Sequence, residues 1–294
     1  MNRLPVVLAM LLPFLFSCGV EKQAEGTPES SLLWKIEKEG MTTDAYLYGT
    51  MHLINKEYFY FPEKLQNLVK KSDVLVMELG ALPDYASAMS LMLLPEGESI
   101  NDYFTEEQME LVYDFMESEM NMNKEAFDLA FGRMKPFIIL QLVTSKQFSG
   151  ETESFELSFT NLAKENEMEI IGLETVEQQL GFFDQIPQSG MGSMITQYFE
   201  EKDKMEEETE KLQKIYRAGN LDSLAVFMKE TSQELLDFED ILLTNRNKAW
   251  IPEIEKIISE KNAFIAVGAA HLAGENGVIE LLKKKGYTVQ PILF

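Results

Sequence analysis

The sequence predicts an α/β protein, with α+β as the alternative: a central mixed, partly parallel β-sheet surrounded by helices, with a large helical section in the middle. Three observations lead there. Apolar runs of strand length recur at Asp73–Gly80, Glu169–Thr175 and Ala263–Gly268, and runs this continuous belong to strands buried on both faces. A strand, a helix and a strand follow one another between residues 45 and 80, the order of a βαβ unit. Between them, residues 83–165 and 190–260 carry apolar residues at helical rather than alternating spacing.

Taken in order, Leu32–Glu37 alternates, with Trp34 and Ile36 against Lys35 and Glu37, and Glu39–Asp44 supplies a turn before the apolar run Ala45–Gly49. An opening hairpin is expected. Phe61-Pro62-Glu63-Lys64 starts a helix with a proline at its first position, an acid in its first turn, and Leu65, Leu68 and Val69 on one face. The strand at 73–80 is then parallel to that at 45–49, side by side or nearly so. In the middle section Met109, Val112, Phe115 and Met116 form a helical stripe, followed by Phe137 to Val143. Its methionines, Met116, Met120 and Met122 among them, read as core filling rather than soft-metal ligands. A second strand-to-helix step at 169–175 ends in Glu174. The chain closes with the strand at 263–268, a helix at 274–285, a stop at Gly286 and a last strand at Thr288–Leu293.

The ends and the charge narrow the setting. Arg3, the apolar stretch Leu4–Phe16 and Ser17-Cys18 have the parts of an export signal, too short for a stable membrane span. Residues 1–17 are read as a signal peptide, Cys18 as the lipidated residue of a bacterial lipoprotein, 18–31 as a flexible tether, and 32–294 as one domain. The expected location is the bacterial cell envelope, at the outer membrane, where the lipid of an exported lipoprotein anchors it. Cys18 is the one cysteine, so no internal disulfide can form. The net charge of −23 repels phosphate backbones and anionic lipid alike. Nucleic acid is thereby excluded as a partner, and contact with a membrane rests on the N-terminal lipid alone. The acid-rich run Phe199–Glu208 has helical spacing and reads as a solvated helix face.

The chain has two histidines, and each closes a Gly-x-x-His tetrapeptide just past an apolar run: Gly49-Thr50-Met51-His52 and Gly268-Ala269-Ala270-His271. Glu78 and Glu174 likewise stand at the ends of apolar strands. Open α/β sheets build their sites beyond the carboxyl ends of the strands, where all four fall. Adjacent strands are about 4.8 Å apart, so a carboxylate and an imidazole there can reach one ion.

These pieces resemble the TraB/PrgY/GumN family, which includes the Tiki membrane proteases. The resemblance is carried by Tyr46–His52, Ser72–Glu78, Ile171–Thr175 with Glu177-Gln178, Arg246-Asn247 and Phe264–His271, which together span nearly all of the chain after the signal. It implies a metal-dependent hydrolase with His52, Glu78 and His271 as metal ligands, Arg246 as a further site residue, and manganese or cobalt in preference to zinc. Glu156-Leu157-Ser158 departs from the pattern, standing where a small residue and an aspartate are expected.

Two neutral imidazoles and a carboxylate leave open positions on a divalent ion, which lowers the pKa of a water and polarises a carbonyl. The expected activity is hydrolysis of a peptide or amide bond, with a peptide or small molecule as substrate. Glu174 is expected as a supporting residue or general base, and Arg246 as the group that holds a substrate carboxylate or stabilises an oxyanion. Two non-catalytic readings stand beside this one: a lipoprotein that binds haem through a histidine, and a protein that sequesters peptides without cutting them.

Overall fold

A computed structural model describes residues 31–80, 85–231 and 238–293. The expected signal peptide, Cys18 and the tether as far as residue 30 lie outside the described residues.

The opening hairpin forms as expected. Strand β1 (Leu33–Glu37) pairs antiparallel with β2 (Ala45–Thr50), Leu33 facing Tyr48. A two-residue strand β3 (Ile54–Asn55) follows, then α1 (Glu63–Lys71) and β4 (Val74–Leu79). Pro62 takes the N-cap of α1, one position earlier than expected. The helical middle comprises α2 (Tyr85–Leu91), α3 (Glu106–Met120), α4 (Lys124–Phe131), α5 (Pro136–Ser145) and α6 (Phe155–Glu165). Between the last two lies β5 (Thr152–Glu153), which pairs with β3 and was not foreseen; two residues are too few to show alternation.

Strand β6 (Glu169–Glu174) leads into α7 (Val176–Phe183), α8 (Gln188–Glu200), α9 (Lys202–Arg217) and α10 (Leu221–Thr231). The acidic run at 199–208 therefore bridges α8 and α9. A π-helical turn over Asp240–Thr244 opens into α11 (Asn245–Glu260), followed by β7 (Ala263–Gly268), α12 (Val278–Lys284) and β8 (Thr288–Ile292).

The six-stranded sheet runs β6-β4-β7-β2-β1-β8. Its four strands β6, β4, β7 and β2 are mutually parallel, while β1 and β8 close one edge antiparallel. Here the structure sharpens the sequence reading, which placed the two strands side by side or nearly so. Strands β2 and β4 are parallel but not side by side, because β7 lies between them. All six residues of β7 are buried, and a strand with no polar face belongs at the centre of a sheet covered on both sides. The three strands that end in His52, His271 and Glu78 thus adjoin one another in the order β2, β7, β4.

Two apolar clusters support this frame. One packs the sheet between α1, α6, α11 and α12, with Leu47, Val76, Phe159, Ile254 and Phe264 buried. The other fills the helical section around Val112, Met116, Phe127, Ile139 and Ile195. Met109 and Met116 pack there as expected, whereas Met120 is 39% exposed at the end of α3. Among the described residues no helix is long and apolar enough to cross a membrane.

Candidate functional site

Glu78 is the penultimate residue of β4, and its carboxylate is buried at the carboxyl end of the sheet. Its Oε1 accepts the Gly268 amide at 2.8 Å. Its Oε2 accepts from Arg246 Nη2 at 2.7 Å and from Gln179 Nε2 at 3.2 Å. Burial alone raises a carboxyl pKa; the positive charge of the histidines and Arg246, with the Gly268 amide, outweighs it and holds Glu78 down at about 2. The group is an anion at any physiological pH.

Both histidines turn Nε2 towards the same oxygen. His52 Nε2 lies 4.0 Å and His271 Nε2 3.8 Å from Glu78 Oε1. Each ring is also held from behind through Nδ1: His52 by Glu156 Oε1 at 2.8 Å and His271 by Asn247 Oδ1 at 2.6 Å. An acceptor on Nδ1 places the proton of a neutral ring there and leaves Nε2 as an acceptor: that of His271 receives Arg246 Nη1 at 3.2 Å, and that of His52 faces Glu78 once its second proton is lost. Glu156 is fixed in turn by Thr50, whose Oγ1 donates at 2.6 Å, and by Ser154 Oγ at 3.1 Å.

The two rings differ in charge. His271 is 3% exposed, and burial holds its pKa down at about 3, against the attraction of Glu78, so it is neutral. For His52, burial among neighbouring groups opposes protonation, but the bond to Glu156 and the charges of Glu156 and Glu78 outweigh it and raise the pKa to about 9. Its side chain is 67% exposed, and the water over it weakens that attraction.

Arg246 fills the space behind Glu78. Its Nε and Nη2 reach Glu174 at 2.9 and 2.8 Å, Nη2 also reaches Glu78, and Nη1 reaches the Leu242 carbonyl at 2.9 Å and His271 Nε2 at 3.2 Å. All five donors of the guanidinium are engaged. Glu174 receives Trp250 Nε1 at 2.9 Å in addition to the arginine. The cap of α7 is supplied by Thr175 and Gln178, which leaves Glu174 to the arginine. A carboxylate so committed supports its neighbours and has no free edge for the general-base role considered above. Arg246 likewise holds Glu78 and Glu174 in place and has no donor left over for a substrate carboxylate. Trp250 completes the wall, its ring centroid 4.4 Å from that of His271.

Two glycines explain the Gly-x-x-His turns. A Cβ on Gly49 would meet Ala269 at 3.1 Å, so the two turns pack directly on each other. A Cβ on Gly268 would lie 3.2 Å from Glu78 Oε1 and 3.7 Å from His52 Nε2. Gly268 therefore keeps open the space that the three side chains face.

Among the described residues no group of three or more His, Cys, Asp or Glu side chains is drawn together tightly enough to hold an ion as it stands. The donor types are nonetheless those that bind a divalent ion, two imidazole nitrogens and a carboxylate. Tetrahedral donors with bonds of about 2.1 Å stand about 3.4 Å apart; Nε2 of His52 and of His271 lie 4.0 and 3.8 Å from Glu78 Oε1, so closing on one ion would draw each inward by about half an ångström. Both histidines present unprotonated Nε2 when neutral, with a hydrogen-bonded Nδ1 behind, the arrangement that orients metal-bound imidazoles.

The TraB/PrgY/gumN family model matches residues 32–291. The chain belongs to the TraB/PrgY/gumN family. Among its relatives, Metalloprotease TIKI1 of Xenopus tropicalis is 23% identical over 88% of this chain and 61% of that protein. Metalloprotease TIKI1 of Danio rerio is 24% identical over 90% of this chain and 64% of its own length. Protein YbaP of Escherichia coli K12, whose role is uncharacterized, is 22% identical over 81% of this chain and 87% of its length. The chain thus spans about three fifths of the Tiki proteins it matches. No solved structure matches it.

Set in this TraB/PrgY/gumN chain, the centre brings together all five residues singled out in the sequence, His52, Glu78, Glu174, Arg246 and His271. Four more belong to it that had been given no role: Glu156, Gln179, Asn247 and Trp250. Trp250 follows Arg246 by four residues on α11 and so shares its helix face. Glu156 stands in the first turn of α6, behind the N-cap Ser154, where a carboxylate is favoured by the helix end.

Proposed function

We propose that this protein is a metal-dependent hydrolase that cleaves a peptide or amide bond, with His52, Glu78 and His271 as the ligands of one divalent ion. The observation that carries the reading is the convergence of two Nε2 atoms on Glu78 Oε1, at 4.0 and 3.8 Å, over a glycine that leaves the space open. The Tiki relatives named as metalloproteases point to the same class.

A divalent ion supplies Lewis acidity at such a place, polarising a scissile carbonyl and lowering the pKa of water, with manganese or cobalt preferred to zinc. The protein's own side chains do the rest. Glu78 brings the negative charge, and Arg246 offsets it on the far oxygen, so that the carboxylate stays ionised while buried. Glu156 and Asn247 hold the imidazoles in the tautomer that binds metal. Glu156, hydrogen-bonded to Nδ1 of His52 at 2.8 Å, keeps the proton of the neutral ring on that nitrogen and so frees Nε2 for the ion. In this reading the protein is exported and held in the bacterial envelope by acylation of Cys18, with its substrate met outside the cytoplasm.

The test is cleavage of a quenched fluorescent peptide library by metal-stripped protein resupplied with Mn²⁺, Co²⁺ or Zn²⁺. Activity returns with metal and is lost in His52→Ala and His271→Ala. Cleavage that persists in both variants, or that never depends on metal, defeats the reading.

A further inference from the structure

A second feature adjoins the centre. A cavity of about 610 Å³ lies between α10, the π-helical turn before α11 and the turn that carries His271. It shares three residues with the centre: Asn247, which holds His271, and Ala269 and Ala270, the two residues between Gly268 and His271. Its walls are largely apolar, from Leu221, Leu224, Val226, Met228, Leu242 and Leu243, with Glu239, Thr244 and Asn276 among them. Val226 lines it and is 56% exposed. At the rim stand charges of both signs, Lys229 from α10 and Glu275 from the turn.

We infer that this cavity is a specificity subsite for a bulky apolar stretch of a peptide, with room for more than one side chain of the size of phenylalanine, lying next to the bond at the centre. The inference rests on the hydrolase reading for the position of that bond. Size and lining match a small-ligand pocket, which is concave, largely apolar and a few hundred Å³ in volume. The turn Ala269–His271 is a common wall of the cavity and the centre, and Ala270 on it is half-buried, so a chain laid over Ala270 places neighbouring side chains on its two sides. A rim with both charge signs suits the amide backbone and ends of a peptide, whereas a lone hydrocarbon chain has no use for it.

The test is titration calorimetry of metal-free, full-length protein with two blocked pentapeptides that differ only in a central phenylalanine or alanine. The phenylalanine peptide binds at least tenfold tighter, in line with the apolar area it buries. Val226→Asp, which puts a charge on an exposed wall position, and Ala225→Phe, which fills the cavity, each abolish the difference. Equal affinities, absence of binding by both peptides, or a preference untouched by both variants overturns the inference. The two readings fail separately. Selective binding without cleavage under any ion removes the hydrolase and leaves the subsite. Cleavage of both peptides with equal kcat/KM removes the subsite and leaves the hydrolase.

Discussion

The Glu156 carboxylate stands 2.8 Å from Nδ1 of His52 and thereby decides which nitrogen of that ring faces Glu78. Replacing Glu156 with glutamine keeps an acceptor in place but removes the charge. The pKa of His52 then falls from about 9 towards the ordinary value of about 6.5. With two histidines in the chain, a ¹H–¹³C NMR titration resolves both rings, and His271 serves as the internal control that does not move.

Proton competition follows from the same pair. An ion must displace the proton of His52, so its affinity rises with pH up to about 9 and then levels, while neutral His271 adds no dependence above its pKa of about 3. Calorimetry in buffers of different ionisation enthalpy measures the released proton. For the metal-free fold the signs are opposite. The raised pKa of His52 adds stability that is complete below about 6.5 and lost as pH rises through about 9. The lowered pKa of His271 costs stability as pH falls from about 6.5 towards 3.

Arg246 is the structural debt of the site. Truncation to alanine leaves two buried carboxylates, Glu78 and Glu174, without their partner, and destabilises the fold by about 3–5 kcal/mol in urea unfolding. Lysine does not rescue it, since one ammonium cannot span Glu174, Glu78 and the Leu242 carbonyl together. A loss below about 1 kcal/mol in either variant contradicts the account of the guanidinium as fully engaged.

Gly268→Ala separates the site from the fold. Its Cβ lies 3.2 Å from Glu78 Oε1, a gap that a shift of a few tenths of an ångström relieves. The variant therefore folds with a Tm close to that of the parent, but its Mn²⁺ affinity drops at least tenfold. Unchanged affinity shows that the space in front of Glu78 is not where an ion sits.

The sheet was legible where the chain carries continuous apolar runs. Strands β4 and β7 fall within a residue or two of their expected places, because burial on both faces leaves no polar position to blur them; β6 does too, although as the edge strand it is only partly buried and not covered on both faces as expected. The order of those strands was not legible. Nothing in a run of six apolar residues says that β7, formed near the end of the chain, inserts between β2 and β4; that is decided by long-range packing. The expected contact between Glu78 and His52 holds in that order, since β7 brings His271 into the gap and the three side chains meet across it.

Supporting residues were the harder part. Glu156 stood out in the sequence as a departure from a family pattern, and its use became visible only when α6 was placed beside β2, with Thr50 and His52 within reach. Asn247 was quoted beside Arg246 without a role because its partner His271 is distant in sequence and close only through the contact of α11 with the β7 turn. Glu174 was found as a supporting residue or general base, and Arg246 as a group for a substrate carboxylate or an oxyanion. Their mutual bonds, invisible in one dimension, make them the frame on which Glu78 is held.

The central claim, that residues on three adjacent strands share one ion, is tested most directly by electron paramagnetic resonance titration of Mn²⁺ into the metal-stripped protein. The account predicts one Mn²⁺ bound per chain, with affinity reduced at least tenfold in each of His52→Ala, Glu78→Gln and His271→Ala. Undiminished Mn²⁺ affinity in both histidine variants contradicts it.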